Sequence, residues 1–404
     1  MHQISIILQD DGERLPLLTD SDGFPIIEPN CFILTQRGKA WRTLVSKLQS
    51  IAILYQWAEK NRIDIDYRIS CRVYFSESEI NGHLLSALRK SYRKSQVIPL
   101  YVSSKVFNTR ILCILEYLSW KFSVAIMRIA ISDDRINQIR ERQQIILSWL
   151  RNAKLSQTAA ENKVSLGLST HQKQSLLNMI NTRSPSNPFH FEAIKQRNYI
   201  IVLLLLSFGL RPAELLTLRI SNIQSGPIPS IAVIRRPHDP DDPRKFNPEV
   251  KRSGRILPII DTKLARAIDN YIVEYRPTLE EKNEEGSDFL ILSEDGLPLS
   301  LSSITKIFKK IKEQNSTLPR NFSPKTLRHT FSTELEKAMR DSGISEARRE
   351  DILMHLRGDT SPKSQRIYIE AAIREEAALF IGKHQEEIFT KPNTGGDINL
   401  DNQP

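Results

Sequence analysis

Gly209-Leu210-Arg211-Pro212-Ala213-Glu214-Leu215 is the stretch on which the fold and chemistry of this chain turn. It follows the apolar run 200–206, so one helix ends at Gly209 and Pro212 opens the first turn of the next. Arg211 is caught in the tight passage between them, where a buried or half-buried guanidinium needs an anion. Glu214, three residues on, is one candidate. A phosphate is another, because the planar guanidinium fork matches two oxygens at once. A second arginine, Arg328 in Lys325-Thr326-Leu327-Arg328-His329, opens a further helix between Leu327 and Phe331, which must point inward. Two arginines placed this way can hold both non-bridging oxygens of one phosphate. Tyr368 follows Arg328 by forty residues, and a tyrosine hydroxyl is one of the few side-chain groups that forms a covalent phosphoester.

The bulk properties fit a phosphate-rich partner. Lys and Arg number 57 against 47 Asp and Glu, a net charge of +10, and the pI is about 9.4. This balance favours a polyanion. A chain of 404 residues exceeds what one core usually organises, which predicts two domains with short appendages. The longest apolar run is too short to span a bilayer, and the first ten residues lack the basic start and apolar centre of a secretory signal, so a cytoplasmic protein without membrane contact is expected. Cys31, Cys71 and Cys113 are widely separated in apolar company, as expected of buried thiols, and have no metal-ligand spacing. There is no Walker loop and no His-Glu-x-x-His, and the Asp239-Pro240-Asp241-Asp242 cluster reads as a solvated loop, so no metal and no cofactor are expected.

Along the chain, residues 1–36 alternate apolar and polar around Asp11-Gly12 and Asp22-Gly23, predicting an N-terminal β-rich arm. The period becomes helical at Trp41 and stays so over 41–61, 77–91, 108–122 and 136–150, a helical domain assigned to 37–155. The second of these helices ends in Arg89, Lys90, Arg93 and Lys94 around Tyr92, a candidate nucleic-acid edge as well as an ordinary solvated helix end. Residues 156–168 lack a period and read as a linker. A second domain covers 169–390, with helices at 170–180, 191–208, 261–275, 303–313, 326–339 and 346–354 and apolar strands at 231–234 and 256–260. Residues 391–404, rich in Gly, Asn and Asp, read as a disordered tail. The class is mainly α with a small β-sheet, α+β.

These residues carry a resemblance. The stretch 209–218 resembles the first conserved box of the tyrosine recombinases, the phage integrase family, and 323–333 resembles the second. The resemblance runs over about 168–379 and, more loosely, over 38–155, where 43–65 is similar to the first helix of the family's SAM-like core-binding domain. It implies a core-binding and a catalytic domain closing as a C-shaped clamp on duplex DNA. The implied activity is site-specific strand breakage and rejoining through a 3′-phosphotyrosine, serving integration or excision of a mobile element. It also implies a tetramer on two DNA sites, homomeric or with sister recombinases, and no small-molecule substrate.

Residue by residue, the resemblance makes Tyr368 the nucleophile and sets Arg211 and Arg328 against the charge on the phosphoryl oxygens. Val250-Lys251-Arg252-Ser253-Gly254-Arg255 resembles the hairpin whose lysine protonates the leaving 5′-oxygen, so Lys251 is the candidate acid, Lys245 its alternative, and Arg252 and Arg255 candidate DNA contacts. Lys325 stands where the second box most often has His, a substitution the family accepts; it donates to a phosphate oxygen but is a poor base. The third-box position falls on His355 counted from Gly343, or on Asp359 counted back from Tyr368. His355 is preferred because an imidazole hydrogen-bonds a phosphate oxygen whereas a carboxylate repels it. His329 is read as structural. The amphipathic segment 375–389 packs either on a neighbouring protomer or on its own domain. Two alternatives stand beside the recombinase: a type IB-like topoisomerase, which needs no defined site, and an inactive recombinase-derived DNA-binding protein.

Overall fold

The computed structural model describes the chain apart from residues 1, 71–74, 92–100, 130–134, 157–166, 251–253, 359–366 and 391–404, and apart from the side chains of 70, 346, 367–376, 389 and 390. Its contacts divide it into two compact units, Met1–Lys163 and Val164–Pro404. Among the described residues both are mainly helical with one small sheet each, the α+β class expected.

The first unit opens with an antiparallel hairpin of β1 (Gln3–Leu8) and β2 (Arg14–Thr19), in which Ile6 faces Pro16 and Gly12 turns with φ 81°. The rest of the expected β arm is a helix, α1 (Ile27–Leu34). Asn30 explains why: its side chain accepts from the Leu18 N–H at 2.8 Å and donates to the Leu18 carbonyl at 2.9 Å, binding the helix to β2. Nor is the arm an appendage, since Leu18, Phe32 and Ile33 share one core with Leu44, Leu48 and Ile51 of α2 (Trp41–Lys60). Cys31 is exposed, against the expectation of a buried thiol, because Phe32 and Ile33 occupy the inward face of α1. Cys113 is buried as expected, and Cys71 lies outside the described residues. The unit continues through α3 (Ile65–Ser70), a wide helical turn at Ser78–Leu84, α4 (Leu85–Arg89), α5 (Ser104–Met127) and α6 (Arg135–Asn152).

In the second unit, Ser169 and Gln172 form the capping box that starts α7 (Thr170–Ile180). The next helix, α8 (Glu192–Phe208), is the centre of the core: every residue from Ile200 to Phe208 is buried, so it needs no polar face. After α9 (Pro212–Leu216) come β3 (Ile223–Gln224), β4 (Ser230–Val233) and β5 (Arg255–Pro258), antiparallel in that order. β3 has only two residues and therefore no readable period. The β4–β5 connection is not a free solvated loop. Asp239 is buried against Arg219 at 2.7 Å, and Asp242 is buried against Arg244, whose Nη1 reaches the Leu299 carbonyl at 2.6 Å.

The chain then forms α10 (Thr262–Asn270), α11 (Pro277–Glu280), α12 (Leu301–Gln314), α13 (Pro324–Asp341), α14 (Glu346–Arg357) and α15 (Ile367–Thr390). α14 runs three residues past its expected end at 354 and stops at Gly358, φ 62°. Of the two readings of 375–389, the structure has the intramolecular one. Ala377, Phe380 and Ile381 are buried in the core of their own unit, and the Gln385 side-chain oxygen accepts from the Ile260 and Asp261 N–H groups, each at 2.8 Å. Among the described residues no helix is long and apolar enough to cross a membrane.

Candidate active site

Gly209 ends α8 in the left-handed region, φ 58°, and a Cβ there would lie 2.3 Å from the Phe331 ring of α13. Only glycine satisfies both conditions. Its carbonyl then accepts from Arg328 Nη1 at 2.5 Å, so the first box directly seats the arginine of the second. Arg211 stands just before α9, and Glu214 accepts its backbone N–H at 2.9 Å and its Nη1 at 2.8 Å. The same carboxylate, 1% exposed, accepts from Arg255 Nη1 at 3.2 Å and Nη2 at 2.9 Å, and lies 3.9 Å from Arg328 Nη1.

The three guanidiniums meet at the C-terminal end of α14. Arg211 Nη1 and Arg328 Nη2 both donate to the Arg357 carbonyl at 2.9 Å, and Arg255 Nε donates to the Leu356 carbonyl at 2.7 Å. These carbonyls belong to the last turn of the helix, at the negative end of its dipole, which is where cations are best placed. Gly358 is packed so closely that a Cβ would lie 2.4 Å from Arg255 Nη1.

Positive charge is in excess here. Burial first, then the Arg211 charge, and more weakly Arg357 and Arg255, push the Arg328 guanidinium down to about 10 against the opposing pull of Glu214. It stays charged at neutral pH, and the part of the shift that comes from Arg211, Arg357 and Arg255 reflects like charges gathered around a single carboxylate. His329 is likewise held below its ordinary value by burial, then by Lys325, Arg357 and Arg328, so it is neutral at pH 7. Glu214 is held below the usual carboxylate range: burial opposes ionisation, but the hydrogen bonds and charges of Arg255 and Arg211 outweigh it. Among the described residues no group of three His, Cys, Asp or Glu is placed to hold a metal ion.

Residues 167–347, which hold both arginine boxes, match the phage integrase family. The chain carries a phage integrase domain. Over 85–88% of its length it also resembles solved recombinases. XerH bound to its difH substrate is 12% identical, with a TM-score of 0.49, over 88% of this chain and 85% of that one. The Tn1549 transposon integrase in complex with transposon right-end DNA is 17% identical, TM-score 0.45, over 85% and 98%. A lambda integrase dimer bound to a COC′ core site is 15% identical, TM-score 0.44, over 86% and 92%. No curated protein matches the chain.

In the integrase domain the remaining expected site residues are distributed as follows. Lys325 is exposed on the first turn of α13, near enough for its charge to act on His329. His355 is half-buried in the last turn of α14, two residues before the carbonyl that joins Arg211 and Arg328. Tyr368 is the second residue of α15; its side chain is outside the described set, as are Lys251, Arg252 and Asp359. Lys245 is exposed in the β4–β5 connection beside the anchored Arg244. In the first unit Arg89 and Lys90 are exposed at the end of α4, with Arg89 over the Tyr101 and Phe107 rings at 5.7 and 5.5 Å, while Arg93 and Lys94 lie outside the described residues.

One expectation is corrected. Arg255 is not placed to touch DNA: its side chain is 2% exposed and bound to Glu214 and α14. Sequence reasoning also missed that Glu214 serves three arginines and that the main chain of Arg357 joins two of them. A signal for Arg255 existed. Period-2 alternation in β5 puts it on the same inward face as buried Leu257, opposite exposed Ile256.

Proposed function

We propose that this chain is a site-specific tyrosine recombinase that cleaves and rejoins DNA through a covalent 3′-phosphotyrosine, for integration or excision of a mobile element. The observation that carries the reading is the convergence of Arg211 and Arg328 on the Arg357 carbonyl, where three arginines share the single carboxylate of Glu214. The Tyr368 oxygen attacks the scissile phosphorus and gives up its proton to solvent water as the bond from phosphorus to the 5′-oxygen breaks. Arg211 and Arg328 stabilise the charge on the non-bridging oxygens, a type of contribution worth roughly 10²–10³ in rate per donor. Lys251 gives a proton to the departing 5′-oxygen, while Lys325 and His355 donate to the phosphoryl group. The phosphotyrosine conserves the energy of the broken bond, so a 5′-hydroxyl of a second strand reverses the step without a nucleotide.

The partner is double-stranded DNA at attachment sites, with four protomers on two sites, acting in the cytoplasm. The first unit adds backbone contacts through Arg89 and Lys90, joined by Arg93 and Lys94. The test is a pool of nicked duplexes with randomised sequence around the nick, in which a released short strand traps the covalent intermediate. Wild type is expected to form a detergent-resistant protein–DNA adduct on a recurring sequence, and Tyr368→Phe none. No adduct with wild type, or an equal adduct with Tyr368→Phe, refutes the reading. Relaxation of supercoiled plasmids irrespective of sequence assigns the chain to the topoisomerase alternative instead.

A further inference from the structure

We infer that Arg255 is a positioning residue of the strand-cleavage reaction: it holds Glu214 and the end of α14 in the arrangement that aims Arg211 and Arg328 at one anion. This rests on the recombinase reading above.

Arg255 joins three separate pieces of the fold. It begins β5 opposite Val233, and the preceding Gly254 is pressed onto that strand, where a Cβ would lie 2.5 Å from the Val233 carbonyl. Its two terminal nitrogens form a fork on the two oxygens of Glu214, and its Nε holds the Leu356 carbonyl of α14. A guanidinium is the one side chain that makes these three bonds from a rigid plane, and lysine cannot span both partners.

The consequence runs through Glu214. Each of its oxygens accepts from Arg255 on one side and from Arg211 on the other, so the position of the Arg211 fork is set partly by Arg255. On α14, Leu356 is the neighbour of Arg357, whose carbonyl seats both Arg211 and Arg328. Withdrawing Arg255 therefore loosens both supports of the arginine pair. With its side chain 2% exposed it has no access to DNA, so its loss leaves DNA affinity intact.

The experiment measures the single-turnover rate of adduct formation on the recovered nicked duplex, together with DNA affinity at several salt concentrations. The proteins are full-length wild type, Arg255→Met, Arg255→Lys, Glu214→Gln and the Arg255→Met/Glu214→Gln double variant. Arg255→Met is expected to cut at least about 100-fold more slowly, as misplaced positioning groups do, with affinity within about threefold and an unchanged salt slope. Arg255→Lys is expected to recover part of the rate. The double variant is expected within about threefold of Glu214→Gln alone, because the two residues act as one unit.

Cleavage at the wild-type rate, multiplicative losses in the double variant, or a tenfold weaker affinity with a shallower salt slope overturns the inference. If Arg255→Met does not fold, Gly358→Ala carries the test, since its Cβ displaces the guanidinium without removing the charge. The same rate loss at unchanged affinity is expected, and undiminished cutting overturns it. A wild-type chain that forms no adduct overturns the recombinase reading and this inference together, whereas an active wild type with an equally active Arg255→Met overturns only the latter.

Discussion

Replacing Glu214 by Gln removes one charge and adds two hydrogens at a buried centre. Each carboxylate oxygen now serves two arginines: Oε1 accepts from Arg211 Nη1 at 2.8 Å and Arg255 Nη1 at 3.2 Å, and Oε2 from the Arg211 N–H and Arg255 Nη2, both at 2.9 Å. Whichever way the amide turns, its NH₂ faces donors and two of these contacts are lost. Hydrogen bonds to charged groups contribute about 1.5–3 kcal/mol each, and breaking a buried ion pair from one side costs about 3–5 kcal/mol. We expect a loss of about 3–5 kcal/mol, or roughly 6–20 °C in Tm at about 2–4 °C per kcal/mol for a unit of this size. Thermal unfolding at pH 7 measures it.

The pH dependence supplies a second check. The Glu214 carboxyl is held below its ordinary value of 4.5, so its stabilisation is complete above that value and is lost as pH falls through the folded value. The wild-type and Glu214→Gln curves should therefore converge in acid. A fall in Tm below about 3 °C at pH 7, or curves that stay parallel in acid, would show that Glu214 is not the hub of the arginine cluster.

Other outcomes follow from the same geometry. Gly209→Ala places a Cβ 2.3 Å from the Phe331 ring at φ 58°, and should cost about 1–3 kcal/mol by denaturant unfolding; it should also slow adduct formation, because the carbonyl that seats Arg328 moves. His384 is buried and held below 6.5 by burial, which outweighs Glu334 and its bond to the Leu206 carbonyl at 2.7 Å. Its neutral form stabilises α15 fully above pH 6.5, and that stabilisation is lost as pH falls through the folded value. Between pH 7.5 and 5 wild type should thus lose Tm more steeply than His384→Gln, and equal slopes would refute this. At the third box, His355→Ala should slow adduct formation at least tenfold while Asp359→Asn stays within about threefold; the reverse ranking moves the role to Asp359.

Much of the scaffold was legible because its signals are local. The helical period marked α2, Ser169 and Thr170 marked the start of α7, and the apolar run before Gly209 marked α8. α1 was not legible, since it is held by the distant pairing of Asn30 with Leu18. The last turn of α14 was missed although Gly358 in a left-handed cap supplies the stop signal one residue after Arg357. That turn proves to be the part that meets the arginines.

The chain of residues by itself determined the arginine boxes, the tyrosine that follows them and the helices that bear them, because each depends on neighbours within a few positions. Only the tertiary structure decided what the arginines do for one another. Residues 209, 214, 255, 328 and 357 are far apart along the chain, and their shared carboxylate and carbonyls exist only once α9, β5, α13 and the end of α14 are packed together. Arg255 shows the difference most plainly. As a letter in a basic hairpin it reads as a DNA contact; folded, it is a buried strut, because the inward register of β5 leaves it no route to solvent and a carboxylate lies within reach.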